Sequence, residues 1–146
     1  MIRPYKSEDT DALITLWRAA SAVAHPFLTP EFLDQEAENM RNIYLVHAET
    51  WVREQNGSPV GFIALINTDG GTEVGGLFVD PDYHKLGFGR ALVDHARTLK
   101  GTLDVEVFER NSIGRRFYAR CGFVETDRSF HDASKQTTLR LRYATT

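Results

Sequence analysis

The segment that most constrains this chain is Leu77-Phe78-Val79-Asp80-Pro81-Asp82-Tyr83-His84-Lys85-Leu86-Gly87-Phe88-Gly89-Arg90-Ala91-Leu92. It reads as a strand, a turn, a glycine loop and a helix start in direct succession. The first amides of a helix have no internal acceptor and lie at the positive end of its dipole. Glycines let those amides close around an anion without obstruction by Cβ. Lys85 and Arg90 add positive charge, so the loop is predicted to hold phosphate. Gly-x-Gly alone arises easily by chance, and its placement between strand and helix carries the reading. Two familiar phosphate loops are excluded: no Gly-Lys-Ser/Thr follows, and Leu92 fills the third glycine position of the dinucleotide fingerprint.

The flanking segments supply the rest of a mixed fold. Ile2 to Lys6 reads as a short strand, and Glu8, Asp9 and Asp11 suit a helix's first turn. Leu13, Leu16, Trp17, Ala20 and Ala24 recur at helical spacing and form a core face, with Arg18 and Ser21 pointing elsewhere. Pro26 breaks that helix, and Pro30 starts a second one carrying Phe32, Glu36, Ala37, Met40 and Tyr44 along one side. Its acidic residues Glu31, Asp34, Glu36 and Glu38 read as a solvated face or as an attraction for a cationic amine. Trp51 to Glu54, the Asn56-Gly57-Ser58-Pro59 turn and Val60 to Ile66 form a hairpin. Thr72 to Val79 adds a third strand, and Gly75-Gly76 within it predicts a bulge or close backbone approach that splays the sheet. A helix over Gly87 to Leu99 carries Phe88, Leu92, Ala96 and Leu99 on one face; another runs from Ser112 to Arg120. Leu103 to Val107, Phe123 to Asp127 and Thr137 to Arg142 complete the strands.

Composition sets outer limits. A chain of 146 residues, 42% hydrophobic and 25% charged, fits one packed domain over residues 1–146. A net charge of -3 supplies no global basic field, so neither nucleic acid nor an anionic membrane is an expected partner. The single Cys121, an N-terminus without a signal-like apolar run and the absence of a spanning segment predict a cytoplasmic protein. His47, His95 and His131 lack metal-ligand spacing, so no metal is predicted. Cys121 has no neighbouring histidine pattern and reads as a small buried hydrophobe rather than a nucleophile.

His84-Lys85-Leu86-Gly87-Phe88-Gly89 resembles the pyrophosphate loop of the GNAT N-acetyltransferase superfamily, which reads Gln or Arg, two residues, Gly, any residue, Gly or Ala. Both glycines match, and His84 stands where Gln or Arg is usual. Downstream, Asn111, Phe117-Tyr118 and Gly122-Phe123 resemble the family's second motif. Gly114 occupies a helical position where the family more often has alanine, at a propensity cost of roughly 1 kcal/mol. His25-Pro26-Phe27-Leu28 resembles small bacterial acetyltransferases of uncertain substrate.

The resemblance spans essentially the whole chain. It implies an α+β GNAT fold: a central, mostly antiparallel sheet of about seven strands splayed at the fourth and fifth, with four helices. It also implies acetyl-CoA as cosubstrate, used to acetylate a primary amine of a protein, peptide or small molecule by direct attack in a ternary complex. Backbone groups of Leu77, Phe78 and Val79 would hold the pantetheine, and the loop His84, Lys85, Leu86, Gly87, Phe88, Gly89 and Arg90 the pyrophosphate. Asn111 would contact the cofactor while also being a good helix cap. Tyr118 matches the family tyrosine that protonates the departing thiolate, a role suited to a phenol protonated at neutral pH; a core aromatic is the plain alternative. Two residues are candidate bases: Glu73, at the start of the strand entering the loop, and His25, whose loop borders the family's acceptor site. An inactive acyl-CoA-binding regulatory module and a phosphate binder without catalysis are the rival readings. The chain is expected to be a monomer or a homodimer.

Overall fold

The computed structural model describes residues 1–144. Seven strands form one sheet in the order β1-β2-β3-β4-β5-β7-β6. The strands are β1 Ile2–Pro4, β2 Glu49–Gln55, β3 Ser58–Thr68, β4 Gly71–Val79, β5 Leu103–Phe108, β6 Val124–His131 and β7 Gln136–Tyr143. Every pairing is antiparallel except β4 with β5. The helices are α1 Thr10–Ala24, α2 Pro30–Asn39, α3 Phe88–Lys100 and α4 Ser112–Arg120. This is the α+β architecture expected, with the splay between the fourth and fifth strands.

Alternation along β3 shows how two cores form on opposite faces. Phe62 joins Leu13, Leu16, Trp17, Met40 and Val52 on the α1 side. Ile63 and Leu65 join Leu92, Val93, Ala96 and Leu103 under α3. Ala24 and Phe88, expected on core faces, are only half-buried and line the cleft, and Ser21 and Leu99 also depart from expectation. Ser21 is buried at 1% exposure, because α1 packs along both the sheet and the cleft wall, and Leu99 is 46% exposed, with Val93 filling the core position beside Leu92 and Ala96.

Local chemistry explains the element ends. Pro30 begins α2, and the Thr29 hydroxyl accepts from the Phe32 amide at 3.1 Å. The helical path does not stop at Asn39: Met40–Tyr44 forms a π turn, with the Leu45 amide bonded to the Met40 carbonyl, and Leu45–His47 is the final turn. At Gly75 the register between β3 and β4 jumps from Ala64↔Gly76 to Leu65↔Val74, the predicted bulge. Pairing of β4 with β5 ends one residue earlier, at Val74↔Val105. Beyond that point the two strands diverge.

Candidate active site

The divergence opens a cleft of about 1180 Å³, larger than the roughly 300–1,000 Å³ of ordinary small-molecule sites. Every residue predicted for the site lines it except Leu86, whose side chain is 60% exposed. Residues separated by up to 93 positions, His25 to Tyr118, therefore meet in one cavity.

The loop ahead of α3 combines a capped turn with two left-handed residues. Asp80 caps the turn Pro81–Tyr83 by accepting from the Asp82 amide at 3.0 Å. Lys85 (φ 66°) and Gly87 (φ 83°) are left-handed on either side of Leu86, and alternation of left- and right-handed residues is the backbone pattern of anion-binding nests. A left-handed non-glycine residue is uncommon and clusters at functional sites. The His84 ring braces the loop by donating from Nε2 to the Val79 carbonyl at 2.8 Å. At Gly89 an added Cβ would lie 3.3 Å from the Phe117 ring, so α3 approaches α4 closely there. Arg90 also donates to the Arg120 carbonyl at 3.3 Å. Arg116 and Arg120 line the same cleft. Sequence reasoning missed both, although the run Arg115-Arg116 and Arg120 on one short helix was a signal that charge belongs there.

The second motif is placed beside this loop. Tyr118 is 6% exposed, with the rings of Phe117 and Phe123 each 5.2 Å away, and burial pushes its phenol pKa upward. Core packing and cleft lining are here the same position. Burial likewise raises the Cys121 thiol, one turn along. Asn111 is buried, and its Oδ1 accepts from the Gly114 amide at 2.9 Å. Its Nδ2 lies 3.1 Å from Nε2 of His25. His25 is enclosed by Phe27, Phe78 and Phe108, and this desolvation pushes its pKa down to about 4. It is therefore neutral at physiological pH, with Nε2 accepting from Asn111. Glu73 is ion-paired to Arg140 at 2.7 Å.

A further wall of the cleft comes from Phe32, Glu36 and Tyr44 on the α2 path, with His131 on β6. The His131 ring stands edge-on to Phe32 and Phe108 at 6.2 and 6.1 Å. Of the acidic residues that the sequence offered to a cationic amine, only Glu36 lines the cleft among the described residues; His131 and Phe108 were not legible as site residues, because strand ends meet helix faces only in the folded chain.

A family model described as an acetyltransferase (GNAT) domain matches residues 46–125. The chain belongs to this GNAT acetyltransferase family. Over 129 residues it is 36% identical to the peptidyl-lysine N-acetyltransferase YjaB of Salmonella typhimurium, covering 88% of this chain and 86% of that protein. The solution structure of apo-form YjaB from Escherichia coli superposes with a TM-score of 0.86 at 31% identity, covering 100% of this chain and 98% of that one. The PaiA N-acetyltransferase from Thermoplasma acidophilum, crystallised with coenzyme A, shares the fold at a TM-score of 0.82 and 20% identity, covering 98% of each chain.

This GNAT chain is an enzyme that transfers an acetyl group from acetyl-CoA to an amine. Its own residues fit that cosubstrate: the amides at the start of α3 and four cations, Lys85, Arg90, Arg116 and Arg120, suit the phosphates, and the edge of β4 beyond Gly75, not paired with β5, offers backbone groups to an extended amide chain. Among the described residues, no group of three or more His, Cys, Asp or Glu could hold a metal. No helix there is long and apolar enough to cross a membrane.

Proposed function

We propose that this GNAT acetyltransferase acetylates lysine side chains of peptides or proteins in the cytoplasm, with residues 1–146 working as one domain, monomeric or homodimeric. The observation that carries the reading is a single cleft lined by both the phosphate loop and a separate wall on α2 and β6. The first suits acetyl-CoA, and the second leaves a route for an acceptor side chain. The relation to YjaB, named a peptidyl-lysine N-acetyltransferase, points to lysine.

In this reading the amides of Leu86, Gly87, Phe88, Gly89 and Arg90 and the cations Lys85 and Arg90 hold the pyrophosphate. Backbone groups of Leu77, Phe78 and Val79 align the pantetheine, while His84 stiffens the loop. The neutral acceptor nitrogen attacks the thioester carbon, the C–S bond breaks, and Tyr118 gives its phenolic proton to the thiolate sulfur. Glu73, oriented by Arg140, takes the proton released by the acceptor nitrogen, directly or through water. His25 acts through Asn111 rather than as a base, because its Nε2 lone pair is already engaged.

Thiol release from acetyl-CoA over lysine peptides, peptides with a free N-terminus and polyamines tests this. Release is expected with lysine peptides, and Tyr118→Phe is expected to lower kcat roughly 10²-fold with acetyl-CoA affinity unchanged in titration calorimetry. Acetyl-CoA binding without release to any amine would favour a regulatory module.

A further inference from the structure

Three carboxylates line the cleft: Glu36, Glu73 and Glu106. Glu73 is ion-paired to Arg140, and Glu106 adds to the negative field on the same guanidinium. Glu36 pairs with no cation among the described residues. Asp34 on the same helix meets Arg18 at 2.7 Å, and Asp11 on α1 meets Arg41 at 2.8 Å.

The α2 path is shaped around Glu36. Tyr44 follows it by eight residues, which in a regular α-helix would place it about 80° around the axis. The π turn Met40–Tyr44 inserts one extra residue, so the offset becomes that of seven residues, about 20°. Tyr44 thus returns to the Glu36 face, and its hydroxyl donates to Oε1 at 3.5 Å, as does Nδ2 of Asn39. Both bonds are long, both converge on one oxygen, and a carboxylate accepts about four. Glu36 is aimed by neutral donors while its charge stays unmatched. The wall beside it, Phe32 and Tyr44, suits the alkyl stem of a long cationic side chain.

The reacting nitrogen must be neutral to attack, so a carboxylate that stabilises an ammonium there would oppose the chemistry. We propose that Glu36 instead recognises a second positive charge on the acceptor, selecting lysines that have an arginine or lysine close by in the peptide. This rests on the lysine-peptide reading above and names its sequence preference.

Capped tripeptides with a central lysine, flanked by alanine, arginine or glutamate, test the proposal with saturating acetyl-CoA. The native enzyme is expected to favour the arginine-flanked peptides about fivefold in kcat/KM over the alanine ones, the factor of one partly exposed ion pair. Raised salt should shrink the preference. Glu36→Gln, close in shape and able to keep both donors, should abolish it, whereas Glu38→Gln, the same charge change off the cleft, should retain it. Absence of a preference in the native enzyme, or its survival in Glu36→Gln, overturns this inference and leaves the lysine-peptide reading standing. Thiol release with none of the peptides, while acetyl-CoA binds, overturns both.

Discussion

The Asn111 carboxamide serves two neighbours at once, its oxygen capping α4 at the Gly114 amide and its nitrogen reaching His25 in the loop after α1. A helix cap was visible in the sequence, since Asn ahead of Ser112 is a common start. The histidine partner was not, because 86 residues separate them. The pairing has a pH signature. His25 has its pKa pushed down to about 4 in the folded chain by burial, against about 6.5 when exposed. Between these values the unfolded chain binds more protons, so this residue's contribution to stability is complete above about pH 6.5 and is lost as pH falls toward about 4. Urea unfolding of His25→Gln should therefore show a flatter fall in stability between about pH 6.5 and 4.5 than the native chain. An unchanged slope would place the titrating group elsewhere. Ser21 teaches the reverse lesson: a polar residue off the apolar stripe looks solvated, yet it is almost wholly buried where α1 meets the cleft.

Elements were legible where local chemistry alone decides them. Helix α4 spans the predicted Ser112–Arg120, and the bulge sits at Gly75 as the glycine pair foretold. The π turn was hidden, because its residues carry no breaker and an unbroken apolar spacing suggests an ordinary helix. Gly114 shows propensity overruled by packing. An alanine there would gain roughly 1 kcal/mol of helix propensity, but its Cβ would lie 2.4 Å from Asn111 Nδ2 and 3.2 Å from Oδ1. Gly114→Ala must push the carboxamide out of the cap, the His25 contact or both. The expected outcome is a net loss of about 1 kcal/mol in chemical denaturation and a higher KM for acetyl-CoA. A rise in stability would show that Asn111 moves aside freely.

At the scale of the molecule, the cleft gathers opposite charges on different walls: Lys85, Arg90, Arg116 and Arg120 from the loop, α3 and α4, and unpaired Glu36 from α2. A chain of net charge -3 thereby still receives an anionic cosubstrate. Acetyl-CoA binding across the splay should stabilise the fold by about 2.7 kcal/mol at 100 times its Kd, seen as a rise in Tm that weakens with salt as Kd increases. Gly89→Glu should remove that rise by placing bulk and negative charge at the loop; a persisting rise would remove the loop from the binding site. By itself the sequence determined the order of strands and helices, the place of the glycine loop between strand and helix, and the family, because turn chemistry, periodicity and a contiguous loop motif are local properties of the chain. Only the tertiary structure decided that Glu36 lines the cleft without an ion pair among the described residues, that His25 is neutral and bound to Asn111, and that Arg116, Phe108 and His131 join the cleft. Charge pairing and desolvation depend on neighbours brought from distant elements, and those neighbours exist only once the two layers of helices have closed on the sheet.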